Sequence, residues 1–115
     1  NLFHGRVHEG VLDAGGASLA VPDHEQTVDA KAVGYVRPHE LDIDRYSPGA
    51  EGIAARLKRA HAIGPLAQLE LEREDNGSLI EAVLPSDRFI ALQLKEGDTV
   101  LVKPRKVRVF FDQAA

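Results

Sequence analysis

An all-β barrel of short antiparallel strands, with one short helix near residues 86–92, is the fold class the sequence predicts. Its 10 glycines and 6 prolines cut the 115 residues into short segments, which suits strands better than helices. Several of those segments alternate apolar and polar side chains, the pattern of a half-buried strand. At this length a single domain spanning residues 1–115 is expected, with a hydrophobic core that needs neither metal nor disulfide support.

In the first half, residues 3–12 form the first expected strand, with Phe3, Val7 and Val11 sharing a parity. Gly15 and Gly16 then supply the positive φ of a hairpin turn, and residues 18–21 return until Pro22 stops them. Residues 32–36 read as a buried strand ended by Arg37-Pro38, because the residue before proline is pushed into extended geometry. Leu41, Ile43 and Arg45 alternate with Asp42, Asp44 and Tyr46 in a half-exposed strand closed by Ser47-Pro48-Gly49.

The second half is clearer. In residues 66–74, Leu69 and Leu71 face inward and Glu70, Glu72 and Glu74 outward; Asn76-Gly77 follows as a predicted type I′ turn, and residues 79–84 return as the hairpin partner. Ser86 is placed as N-cap of one or two helical turns over residues 87–92, with Asp87 early in the first turn. Residues 99–102 and a last strand holding Val107 and Val109 read as a final hairpin. Residues 53–63 fit either a helical face or a strand. Their propensity favours helix; a strand is preferred because Gly64-Pro65 then joins it to the next strand and completes a five-stranded, partly open barrel of the OB type.

Composition excludes several functions. There is no cysteine, so disulfides, thiolate metal sites and cysteine nucleophiles are absent. The longest stretch free of charge and histidine, residues 14–22, is far short of the roughly 20 residues that span a bilayer as helix. Net charge is −4 with a pI near 5.7, which weighs against general nucleic-acid binding. The surplus is uneven: residues 1–52 form an acidic N-terminal lobe with net charge −5, and residues 53–115, the barrel half, carry +1. The chain starts at Asn1 and has no methionine, so it is expected to be an excised or processed segment.

The candidate chemistry is sparse. His4 and His8 share a strand face about 13 Å apart, too far to hold one ion, and His24, His39 and His61 are scattered. Asp42 and Asp44, with Glu40 and Glu51 nearby, read as the solvated face of a strand rather than a catalytic carboxylate cluster. No Gly-x-x-x-x-Gly-Lys loop, Gly-x-Gly-x-x-Gly turn or Gly-x-Ser-x-Gly elbow occurs. Lys103, Arg105, Lys106 and Arg108 form the one basic cluster. It supports an alternative, an OB-type nucleic-acid-binding module, although only six aromatic residues are available as stacking platforms.

Specific words in the sequence carry more. Residues 1–7 (Asn-Leu-Phe-His-Gly-Arg-Val), 33–43 (with Arg37-Pro38-His39-Glu40 at their centre), Gly64-Pro65 leading to Leu69-Glu70-Leu71, and Leu94-Lys95-Glu96-Gly97-Asp98 through residues 107–110 are in one order. Together they resemble the C-terminal regulatory part of the ATP-binding subunits of sulfate/thiosulfate importers. That resemblance covers nearly the whole chain. Related importer ATPases carry Arg-Pro-Glu where this chain inserts His39, a form similar to the sulfate branch. It implies a TOBE-type, OB-like regulatory domain that is not itself an enzyme and binds no cofactor, following an ATPase domain that would use ATP and Mg. Implied partners are that ATPase domain, a second copy of the ATPase subunit and, indirectly, the importer's membrane subunits; no nucleic acid is expected. The implied location is the cytoplasmic face of the inner membrane. Candidate oxyanion or regulatory contacts are Arg37 and His39, in the family word, and Arg105 and Lys106, at the turn beside Pro104. A rigid turn is the simpler explanation of Arg37-Pro38-His39-Glu40.

Overall fold

A computed structural model describes residues 1–15 and 17–111. In chain order the strands are β1 (Leu2–His8), β2 (Val11–Ala14), β3 (Ala17–Ala20), β4 (Ala30–Tyr35), β5 (Leu41–Arg45), β6 (Ile53–Ile63), β7 (Leu66–Arg73), β8 (Leu79–Pro85), β9 (Thr99–Pro104) and β10 (Arg108–Phe111). The helix α1 (Ser86–Leu92) separates β8 from β9, and 3₁₀ turns lie at Pro22–His24 and Pro38–Glu40. The chain divides into two compact units, Asn1–Val36 with the segment from Lys106 onward, and Arg37–Arg105. The charge division at residue 52 lies inside the second unit, just before β6.

The first unit is one antiparallel sheet in the order β10-β4-β1-β2-β3. Alternation puts Phe3, Val7, Leu12, Leu19 and Ala32 on its buried side. The strand expected over residues 3–12 is in fact two, because Glu9 (φ 48°) and Gly10 (φ 84°) turn the chain back and set His8 opposite Val11. Positive φ at both turn residues is the type I′ geometry. Glutamate at the first position gives no sequence signal for it. The expected hairpin pairs Ala14 with Ala17, with Gly15 at φ 61°; Gly16 lies outside the described residues.

The second unit is the OB-like barrel, with sheet order β5-β9-β6-β7-β8 and β8 reaching back to β5 and to the 3₁₀ turn Pro38–Glu40. Its core is Leu41, Ile43, Ala55, Leu57, Leu69, Leu71, Ile80, Ala82, Val100 and Val102. Residues 53–63 are a single strand, as preferred. Helix propensity loses there because Ile53, Ala55 and Leu57 fill one face of the barrel while Arg56 and Lys58 stay in water. Between Leu57 and Arg59 the register with β7 slips by a bulge at Lys58.

Three local expectations fail. β9 and β10 are not a hairpin: β9 lies between β5 and β6, whereas β10 pairs with β4, since Pro104 ends one ladder and the chain crosses to the other unit. The Asn76-Gly77 turn is not type I′. The connection runs from Arg73 to Leu79, only Gly77 (φ 74°) takes positive φ, and the Asn76 side chain accepts from the Ser78 N–H at 2.9 Å, an Asx-type turn. Ser86 does not cap α1 either. Pro85 is the N-cap, the Ser86 N–H donates to the Pro65 carbonyl at 2.9 Å, and the buried Ser86 hydroxyl has no partner among the described residues.

Candidate functional site

Arg37-Pro38-His39-Glu40 begins the second unit. Arg37 is extended (φ −74°, ψ 151°), as the proline after it requires, and Pro38 opens a 3₁₀ turn with its φ already set. The Glu40 N–H donates to the Arg37 carbonyl at 2.9 Å, and the Glu40 carboxylate accepts from the Arg37 N–H at 3.3 Å. Both ends of the turn are thereby fixed.

Arg105 reaches this turn from the far end of the unit. Its N–H donates to the Glu40 carbonyl at 2.8 Å, its Nη2 donates to the His39 carbonyl, and its Nε lies 3.1 Å from Asp42 Oδ1. The guanidinium is therefore turned onto the protein, next to a carboxylate. Such a fork holds a backbone turn in place. Arg37 and His39 present exposed side chains from the same turn. Lys106, also exposed, is the first residue of the segment returning to the first unit. Of the four candidates, the structure thus gathers Arg37, His39 and Arg105 on one turn of the second unit.

Two of the acidic residues expected on that strand face, Asp42 and Asp44, are each paired with a different arginine. Asp42 meets Arg105, whereas Asp44 accepts from Arg88 Nη2 at 2.6 Å. The histidines do not converge: His61 Nε2 is 3.1 Å from Gln68 Oε1, His24 stacks edge-on against Phe111 at 5.1 Å, and His8 Nδ1 faces the Val28 carbonyl. Among the described residues no three His, Asp or Glu side chains are grouped to hold a metal ion. No helix among them is long and apolar enough to cross a membrane.

Two arrangements escaped the sequence reading. On β1, Arg6 donates through Nε and Nη2 to Asp29 at 2.8 and 3.3 Å. That hydrogen bond holds the Asp29 carboxyl below its ordinary value, with the charges of Arg6 and His8 acting in the same direction. In the second unit, Arg45 Nη1 donates to the Leu92 carbonyl at 2.6 Å and to that of Gln93 at 3.3 Å, tying down the C-terminus of α1. Beside it runs an open groove of about 580 Å³ lined by Arg45, Gln93, Leu94, Lys95 and Asp98. No spacing in the sequence brings residues 45 and 92 together.

Residues 47–105 match the family described as the TOBE-like domain, and residues 1–43 match the CysA C-terminal regulatory domain. Similar curated proteins include the sulfate/thiosulfate import ATP-binding protein CysA of Ralstonia nicotianae, 52% identical over 96% of this chain and 31% of that protein. Those of Nitrosomonas europaea (42%, covering 99% of this chain and 32% of the protein) and Bacillus cereus (39%, 98% and 32%) are also similar. The chain spans about a third of the length of these relatives. Among solved structures, the cytoplasmic molybdate-binding protein ModG with molybdate bound superimposes with a TM-score of 0.72, at 20% identity, over 95% of this chain and 94% of that one. At that identity the likeness is one of fold alone.

Proposed function

Because the chain belongs to the TOBE-like domain family, we propose that it is the regulatory, non-catalytic C-terminal part of the ATPase subunit of a sulfate/thiosulfate importer. The observation that carries this is order: a match to the CysA C-terminal regulatory domain over residues 1–43 precedes the TOBE-like match over residues 47–105, and relatives named as sulfate/thiosulfate import ATP-binding proteins align across both. ATP and Mg would be bound by an ATPase domain preceding this part, at the cytoplasmic face of a membrane holding the importer's other subunits. The chain would help hold two ATPase subunits together. It would also report an oxyanion such as sulfate through Arg37 and His39, with Arg105 fixing the turn that carries them and Lys106 adding charge next to Arg105 in sequence. Oriented guanidinium and backbone donors are the groups an oxyanion requires.

The test is sulfate-coupled ATP hydrolysis by the full-length polypeptide assembled with its membrane subunits. Excess sulfate should slow hydrolysis, and Arg37→Ala should weaken that response by about 1.5–3 kcal/mol, the range for a charge-assisted hydrogen bond. Hydrolysis indifferent to sulfate would remove the sensing role. Calorimetry of this chain alone with Mg-ATP should show no binding, and one-site micromolar binding would overturn the non-catalytic assignment.

A further inference from the structure

β6 is longer than the ladder that covers it. Its pairing with β9 ends at Arg56 opposite Thr99, and its last contact on that side is Leu57, whose N–H donates to the Asp98 carbonyl at 2.8 Å and whose carbonyl accepts from the Gly97 N–H at 2.7 Å. Beyond the bulge at Lys58, β6 continues to Ile63 paired only with β7. Because both backbone groups of Leu57 point away from β7, the opposing Leu71 points its own toward β8. Alternation along β7 then turns Glu70, Gln68 and Leu66 toward β6. Arg59, His61 and Ile63, their partners in register, are spent on β7. Ala60 and Ala62 therefore aim N–H and C=O at an edge that no other strand of the second unit pairs with.

We propose that this edge pairs with the same edge of a second copy of the chain, antiparallel and centred on His61; this deepens the proposed role in holding two subunits together and rests on it. Three features select a second copy. Only the register centred on His61 sets Ala60 opposite the partner's Ala62, so that all outward groups of both alanines are used. Registers shifted to centre on Ala60 or Ala62 leave one alanine opposite Lys58, at the bulge, or Gly64, in the turn. In the chosen register Arg59 faces the partner's Ile63, so no like charges oppose, and Ile63, 55% exposed, gains cover. Lys58 at the bulge and Gly64-Pro65 at the turn bound the flat stretch on both sides, so the pairing cannot slide.

His61 would then sit in a non-hydrogen-bonded pair with its symmetry mate, Cβ atoms about 4.5–5.5 Å apart, within reach of a disulfide after a small shift. Since the sequence has no cysteine, His61→Cys places the only thiol at the two-fold axis. Mild oxidation of that variant should yield a covalent dimer. Adding Ala62→Pro removes only an outward N–H, leaves the ladder to β7 intact, and should cut cross-linking roughly tenfold or more with an unchanged circular dichroism spectrum. His61→Lys should weaken association in the uncross-linked chain, and mixing it with His61→Asp should restore it as a heterodimer. Failure of His61→Cys to cross-link, or cross-linking unaffected by Ala62→Pro, would overturn the proposal. Cross-linking through Val28→Cys instead would assign the contact to another surface and leave the importer assignment standing. A monomeric chain whose Ala60 and Ala62 amides gain protection only from an added extended peptide would also overturn it. The importer assignment fails separately, through the ATPase assay.

Discussion

Gly5 leaves no room for a side chain. A Cβ there would lie 1.8 Å from the Asp13 carbonyl oxygen and 2.9 Å from the Ala14 Cα, both backbone atoms that yield only if β1 and β2 part. Gly5→Ala should destabilise the chain at or beyond the upper end of the ~1–3 kcal/mol typical of overpacking, measured by urea denaturation. Gly34→Ala should cost less, about 1 kcal/mol, since the nearest atom is the movable Leu12 Cδ2 at 2.5 Å. A second expectation concerns Asp29, whose depressed pKa comes first from its hydrogen bond with Arg6. A carboxyl depressed on folding favours the folded state above its ordinary value, and that contribution is lost as pH falls through the folded one. Arg6→Ala should therefore raise the Asp29 titration midpoint toward the ordinary carboxylate range, followed through its carboxyl carbon resonance.

At the scale of elements, α1 is too short to persist unaided, because an isolated helix of 7 residues lies far below the roughly 12–15 needed for even marginal stability in water. It is held by arginines at both ends. Arg88 Nη2 bonds Asp44 and the Ile43 carbonyl near its start, and Arg45 bonds the Leu92 and Gln93 carbonyls at its close. Arg45→Ala should cost about 1 kcal/mol and speed amide exchange in α1 while leaving β6 and β7 protected. These clasps also mark the limit of what is legible in the sequence. Alternation located β7 and β8 to within a residue, since a two-period pattern records which side chains face the core. Helix-start residues placed α1 to within a residue too, although Ser86 opens the helix and Pro85, not Ser86, is its N-cap. Which strand β10 joins depends on closure of a ladder with β4 over a long loop, and no local pattern encodes that. The site was half legible: the word Arg37-Pro38-His39-Glu40 announced a rigid turn, but the use of Arg105 on Asp42 and the His39 carbonyl comes from β5 and β9 lying side by side.

The whole molecule is organised around a continuous second unit and a first unit assembled from both ends of the chain. A fragment Arg37–Arg105 retains every strand of its sheet and α1, so it should fold alone with a cooperative melt and dispersed amide resonances. A fragment ending at Val36 lacks β10 and should not. Such nesting orders events in time. A ribosome delivers β4 long before β10, and joining Tyr35 to Arg108 directly would close a loop of about seventy residues against chain entropy. Once the second unit has formed, Leu41 lies opposite Pro104 and Arg105 is bonded to Glu40, so the loop left to close shrinks to a handful of residues. By the logarithmic law that difference is worth about 2 kcal/mol. The barrel thus acts as a splint for its neighbour, and refolding followed residue by residue should show β6, β7 and β9 protected before the β4–β10 ladder appears.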